Sequence, residues 1–363
     1  MGIDDYVTKP YDTGEIVARV KSVLRRTRPV QPKKKIKSIL ITGGAGFIGS
    51  HLAKILLKKK HEVYIIDDFS TGRMENLEDI SDDKRLHIVT GSITDEVLLD
   101  KTIEKCGFIY HLAATVGVKN VVDRPLDTIM CDTFGTELVL KYAAAKGIKV
   151  VLTSTSEVYG KSEQIPFKEN GDIILGSPDV NRWSYACSKL LDEFLAMAYF
   201  RERNLKIAVV RFFNIVGPGQ IGHYGMVIPR FFKSAMTNKP MHVYGDGNQS
   251  RCFTYIDDAV DMLMKIAANE KAYGEVTNLG NDKEISIKDL ALKIKKTTKS
   301  SSKIVFEPYY KYYGKYFQDV MRRVPDLDKL KKIAGIVPKT GIDEILKKLT
   351  KYFKDHPEEL KRI

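Results

Sequence analysis

Apolar residues first gather in a short continuous run, Ser38 to Thr42, which is too brief for a helix and suits a strand buried on both faces. The spacing then turns helical at Phe47, Ile48, Leu52, Ile55 and Leu56, and returns to a strand pattern over residues 61–66. The same alternation continues down the chain. It predicts strands over residues 85–90, 108–112 and 149–153, a long helix over 126–146 and another over 185–203. Strands that alternate with helices predict an α/β fold, a doubly wound parallel sheet of the Rossmann type with its ligands at the carboxyl ends of the strands. On this reading the sheet domain spans 36–212 and is rejoined near 250–283. Residues 213–249 and 284–353 build a smaller C-terminal α/β domain, 354–363 form a tail, and 1–35 stand apart.

The turn between the first strand and its helix holds Gly43, Gly46 and Gly49. One glycine permits the tight turn, one lets the backbone approach a pyrophosphate and one lets the helix pack against the sheet. The helix start at Phe47 and Ile48 offers free N–H groups to the phosphates. Asp67 ends the second strand eighteen residues beyond Gly49, where a carboxylate accepts bonds from a ribose diol and repels a 2′-phosphate. The predicted cofactor is therefore NAD rather than NADP. The loop 69–76, with Ser70 and Gly72, should lie under the adenosine, and Ser92, next to Ile93, offers a hydroxyl to the adenine. Leu112, Ala113 and Ala114 end the fourth strand where the chain must pass the nicotinamide ribose; close packing explains the two alanines equally well.

The fifth strand runs into Ser154 to Gly160, STSEVYG, and Tyr185 and Lys189 follow four residues apart on a predicted helix. At that spacing they share a face. An ammonium beside a phenol favours the phenolate, which would make Tyr185 a general base. A tyrosine and lysine at this spacing recur by chance in many helices; the Ser-Thr-Ser strand end and the upstream glycine turn give this pair its weight.

Composition narrows the setting. The chain has 363 residues, 43% of them hydrophobic, with no run approaching the roughly 18 apolar residues of a membrane span. Its first residues lack the basic and apolar regions of a secretory signal, and its four cysteines form no CxxC pair. Reduced thiols in a cytoplasm and no metal site are expected. The net charge of +13 suggests nucleic acid until it is mapped: residues 1–37 hold ten basic against four acidic residues, so much of the excess is a tail. No nucleic-acid partner is expected.

Residues 2–26, GIDDYVTKPYDTGEIVARVKSVLRR, resemble the last strand and helix of a response-regulator receiver domain, including its Thr8-Lys9-Pro10 segment. The phosphorylatable aspartate is absent, and one strand with one helix cannot bury a core. The segment is read as a remnant of a gene fusion or a misplaced start, an amphipathic helix (Ile16, Val17, Val20, Val23, Leu24) on a tether over 25–35, without functional weight.

The rest of the chain, over residues 36–353, resembles an extended short-chain dehydrogenase/reductase of the nucleotide-sugar epimerase/dehydratase group. TGGAGFIGSH, STSEVYG, YACSK, RFFNIVGP, YGDGNQSRCFTYIDD and QDVMRRVPD occur in that group's order. The resemblance implies that Thr155 bonds the sugar 4-OH, that Tyr185 is the base and that Lys189 holds both the tyrosine and the nicotinamide ribose. It places Asn214, Arg251 and Arg323 on the nucleotide diphosphate and puts residues 224–237 and 240–244, with Val227 and Tyr244, over the sugar nucleotide. It further implies a homodimer through the helices at 126–146 and 185–203. One departure is Gly219, where the group commonly has arginine after Gly-Pro; a contact near the substrate loop is then either missing or supplied by Arg230. Tyr309, Tyr310, Tyr312, Tyr313 and Tyr316 are expected to pack on the surface rather than stack on a base.

Ser156-Glu157 replaces the Asp-Glu pair of a 4,6-dehydratase, which disfavours dehydration. Together with Arg182 it resembles enzymes acting on UDP-glucuronic acid, whose 4-keto form is a β-keto acid that either loses CO2 or survives to be reduced on the other face. Arg182 or Arg323 would bind the C6 carboxylate. The segments GHYGMVIPRFF and RRVPD favour a UDP-glucuronate 4-epimerase, with UDP-glucuronate decarboxylase as the alternative. A non-catalytic NAD-binding regulator is the remaining reading.

Overall fold

The computed structural model describes residues 38–115, 125–222, 226–309 and 320–363, without the side chain of Arg182. The receiver-like segment, most of the tyrosine cluster and residues 223–225 lie outside the described residues. Ser38–Ile363 forms one compact unit.

Its centre is a seven-stranded sheet: β1 (Ser38–Thr42), β2 (Glu62–Asp67), β3 (Leu86–Thr90), β4 (Phe108–His111), β5 (Lys149–Thr155), β6 (Ile207–Phe212) and, from late in the chain, β11 (Val276–Leu279). Their order is β11-β6-β5-β4-β1-β2-β3, and every pairing is parallel. This is the doubly wound α/β sheet that the hydrophobic pattern predicts. Strand order reverses between β1 and β4, so a crevice opens beyond their carboxyl ends. Helices cover both faces, which is why the central strands are buried on both sides: Leu40, Ile41, Ile65 and Ile109 have no exposed surface.

The crossover helices are α1 (Phe47–Lys58), α2 (Glu96–Ile103), α3 (Pro125–Ile129), α4 (Gly135–Lys146) and α5 (Arg182–Arg203). The helix expected over 126–146 is thus broken by a π-helical turn at Met130–Phe134. A 3.6-residue pattern cannot reveal that insertion, because it shifts the phase of the turn without removing its apolar residues. The fifth strand runs two residues further than its apolar run, and so carries Thr155 to its carboxyl end.

The later chain adds short pairs and helices: β7 (Ile215–Val216), α6 (Val227–Met236), β8 (Met241–Tyr244), β9 (Ser250–Cys252), β10 (Thr254–Tyr255), α7 (Ile256–Ala268), β12 (Glu284–Ser286), α8 (Ile287–Thr298) and β13 (Ile304–Glu307). β8 pairs with β13 in parallel, β9 with β12 antiparallel, and β7 with β10 in parallel. The buried face of α6, Ile228, Phe231, Phe232 and Ala235, anchors this smaller C-terminal α/β part. The chain ends in α9 (Asp328–Ala334), α10 (Ile342–Asp355) and α11 (Glu359–Arg362). Residues 354–363, set apart as a tail by sequence, pack back on the sheet domain. Glu359 is buried and meets Arg73 Nη2 at 3.4 Å, and Arg362 reaches Glu75 at 3.7 Å.

Candidate active site

A large cleft runs over the carboxyl ends of β1, β2, β4 and β5 and under the C-terminal part. At one end is the glycine turn. Gly43 adopts φ +69, and a Cβ there would lie 2.9 Å from the Ala113 backbone, so only glycine lets β1 and β4 close up at the crevice. Gly46, Phe47, Ile48 and Gly49 line the cleft, and a Cβ on Gly46 would meet only the Gly43 carbonyl, at 3.2 Å. The turn is therefore open on its outer side.

Asp67 is held rigidly. Its Oδ2 accepts from Ala45 N at 2.8 Å and its Oδ1 from Phe69 N at 2.9 Å, while Gly72 packs directly behind the carboxylate. Burial pushes its pKa above the usual carboxylate range, and those two N–H bonds pull it back. Ser70, Ser92, Ile93, Leu112, Ala113 and Ala114 all line the cleft. Gly72 does not: it supports Asp67 from outside. Ser92 Oγ is bonded to Thr94 Oγ1 at 2.8 Å, so its hydroxyl is oriented within its own loop. A fixed carboxylate, an open glycine cradle and small residues at the β4 end fit a dinucleotide, and the cofactor is NAD. Stripped protein titrated with both dinucleotides should bind NAD the more tightly; equal or tighter binding of NADP would overturn the assignment to Asp67.

At the other end the sequence-predicted chemical residues meet. Thr155, Ser156, Glu157, Tyr185 and Lys189 all border the cleft. The Thr155 hydroxyl accepts from Glu157 N at 3.2 Å, and Thr155 also hydrogen-bonds Tyr185. Lys189, 2% exposed, places Nζ 2.8 Å from Asp192 Oδ2. Burial would lower its pKa, but Asp192 and Asp132 hold it above the ordinary lysine value. Tyr185 differs from expectation: burial, then the carboxylates of Asp132, Glu157 and Asp192, raise its pKa. The expected help from Lys189 is offset because its charge is already matched by Asp192. A cationic ligand beside Tyr185 is what this site needs to release the phenolic proton.

α5 is tied to the sheet by a buried network that the sequence reading missed. Glu193 accepts from Ser154 Oγ at 2.5 Å and from Arg211 Nε and Nη2 at 2.9 and 2.7 Å, and Arg211 stacks 4.7 Å from the Tyr159 ring centre. Buried ion pairs of this kind cost heavily when one partner is removed, so Tyr185 and Lys189 stand on a rigid helix.

Arg323 forms an ion pair with Glu157. Its side chain is 7% exposed, and its buried Nε has no hydrogen-bond partner. Because Glu157 follows Thr155 by two residues, Arg323 stands at the Tyr185 end of the cleft. Arg251 Nη1 donates to Ser250 O at 2.8 Å, and Asn214 Nδ2 to Cys252 O at 3.0 Å; both residues line the cleft, with Val227 and Tyr244. Arg230 stacks 4.5 Å from the Tyr244 ring centre, whereas Arg73 approaches Gly219, Nη2 to carbonyl oxygen at 3.5 Å. The cation beside Gly219 is thus Arg73, supplied by the 69–76 loop. Tyr309 lines the cleft and packs on Gly245 instead of lying on the surface, while Arg182 starts α5.

Among the described residues there is no cluster of side chains suited to a metal, and no helix long and apolar enough to cross a membrane. Fold and site together define an NAD-dependent enzyme of the extended short-chain dehydrogenase/reductase class that modifies a nucleotide sugar. The chain belongs to the GDP-mannose 4,6 dehydratase family, whose model matches residues 40–349. It is 40% identical over 320 residues to a UDP-N-acetyl-alpha-D-glucosaminuronate decarboxylase of Bacillus cytotoxicus, covering 88% of this chain and 98% of that one. It is 34% identical to UDP-glucuronic acid decarboxylase 1 of Arabidopsis thaliana, covering 90% and 72% respectively. The solved UDP-glucuronic acid 4-epimerase from Bacillus cereus, in complex with UDP-glucuronic acid and NAD, superposes with a TM-score of 0.79 at 28% identity, covering 88% of this chain and 99% of that one.

Proposed function

We propose that this protein decarboxylates a UDP-linked hexuronic acid through a 4-keto intermediate. The observation that carries the reading is the Arg323–Glu157 pair beside Thr155 and Tyr185, which sets a buried cation with an unused N–H next to the proton-transfer group. A substrate carboxylate suits that cation better than a neutral hydroxymethyl group does. The 40% identity to a decarboxylase along nearly its whole length supports this alternative over the 4-epimerase reading that local segments favour.

Held along the Gly43–Gly49 turn and Asp67, NAD would supply the hydride acceptor for C4 and, reduced, the hydride donor. Tyr185, its phenolate favoured by a cationic ligand beside it, receives the 4-OH proton; Thr155 orients that hydroxyl, and Lys189 lies on the same face of the helix as Tyr185. The C6 carboxylate of the resulting β-keto acid departs as CO2 and leaves its electron pair in an enolate, which takes up one proton at C5. Arg323 would bond the carboxylate and hold it out of the carbonyl plane, the orientation that lets this bond break. A 4-epimerase of the same substrate is the second reading, supported by the structural likeness to the Bacillus cereus enzyme.

Incubation with UDP-glucuronate and, separately, its 2-acetamido analogue should give a product lighter by one CO2. A product of unchanged mass with inverted C4 in the NMR spectrum would replace decarboxylation by epimerisation. The intact Tyr185, Lys189 and Thr155 set speaks against a purely regulatory NAD-binding protein. Exposed Met130 and Phe134 beside exposed Leu191 and Phe194 on the contacting helix support a homodimer through this face.

A further inference from the structure

We propose that Asp132 is a positioning residue for proton transfer: uncharged, it lets Tyr185 become an anion, and charged, it holds the proton on Tyr185. The inference rests on Tyr185 being the base. Asp132 has no exposed surface and lies on the π-helical turn, where one extra residue rotates the side chains by about 100° relative to a continuous α-helix. Its Oδ1 accepts from Thr115 N at 2.8 Å, and its Oδ2 is buried without a partner. Thr115 and Cys131, next to it in space and in sequence, both border the cleft.

Among the described residues, the charged groups around it are few. From α5 come Lys189, Asp192 and Tyr185, with Glu193 beyond them and already committed to Arg211. From β4 comes His111, held neutral by burial and bridging Thr42 and Thr136. On α4, Glu137 is engaged with Tyr199 at 3.2 Å, and on α3, Asp127 faces solvent. Among the described residues Lys189 is therefore the one cation facing these acidic groups, and Asp192 already matches it at 2.8 Å. A second anion beside this pair is costly, and two more are prohibitive. Burial accordingly pushes Asp132 up to about 7, with Lys189 and the Thr115 N–H opposing and Asp192 assisting. Asp132 is also the largest of the charges that disfavour the Tyr185 anion. A negative charge on Asp132 therefore opposes one on Tyr185.

Asp132→Asn keeps an oxygen for the Thr115 N–H and cannot ionise. In the holoenzyme, tyrosinate absorbance measured against Tyr185→Phe should show the Tyr185 midpoint about one to two pH units lower in Asp132→Asn than in the wild type. The acid limb of the kcat profile should move with it, while Asp132→Glu keeps the wild-type limb. Asp132→Ser, which also removes the charge, serves if the asparagine variant folds poorly. A lower kcat with an unmoved midpoint and an unmoved limb would overturn the proposal and leave Asp132 a packing residue. If Tyr185→Phe turns over normally, the assignment of the base fails instead, which is a separate result.

Discussion

Replacing Tyr185 by phenylalanine should lower turnover about a hundredfold or more, with the fold and NAD affinity kept. Phenylalanine fills the same ring volume on α5, so what is lost is the oxygen that Thr155 bonds. The effect should fall on kcat rather than KM, because the proton moves in the transition state and the phenol adds little to ground-state binding. Near-normal turnover would mean that the Thr155, Tyr185 and Lys189 set is not the reacting one.

A second large effect is expected at Arg323. Arg323→Ala, assayed in parallel with UDP-glucuronate and UDP-glucose, should lose about ten- to a hundredfold or somewhat more in kcat/KM on the uronate alone, since a charge-assisted bond is worth roughly 1.5–3 kcal/mol. Equal losses on both sugars would instead assign Arg323 to the diphosphate. Arg182→Ala belongs in the same experiment, because a carboxylate ligand at either arginine gives the same selective loss. A wild-type protein that prefers the neutral sugar would sink the uronate reading altogether.

The sheet was legible because its signals are local. Apolar runs mark β1 to β5, and the spacing from Gly49 to Asp67 is set by one helix and one strand, so both survive without knowledge of the fold. The Tyr185–Lys189 pair was legible for the same reason. What escaped depends on distant parts of the chain meeting. Arg73 reaches Gly219 across 146 positions, and Arg323 reaches Glu157 across 166, so the reading could name these arginines or their loops but not their partners. The π turn and the inward aspartate it creates are invisible to a helical pattern. Choosing epimerisation rested on short segments, one of which runs through residues 223–225, whereas similarity along the whole chain weighs toward decarboxylation.

Cys187 gives the apolar helix face an optical use. Cys106 and Cys252 are buried, with thiols pushed up to about 12, Cys131 is half-buried, and Cys187 alone of the four is exposed. It stands four residues before Leu191 and seven before Phe194, so a thiol-reactive fluorophore would land on the same stripe as those two side chains. Labelling speed then becomes a gauge of how often that stripe is uncovered, readable by dilution in an ordinary fluorimeter without crystals or substrate.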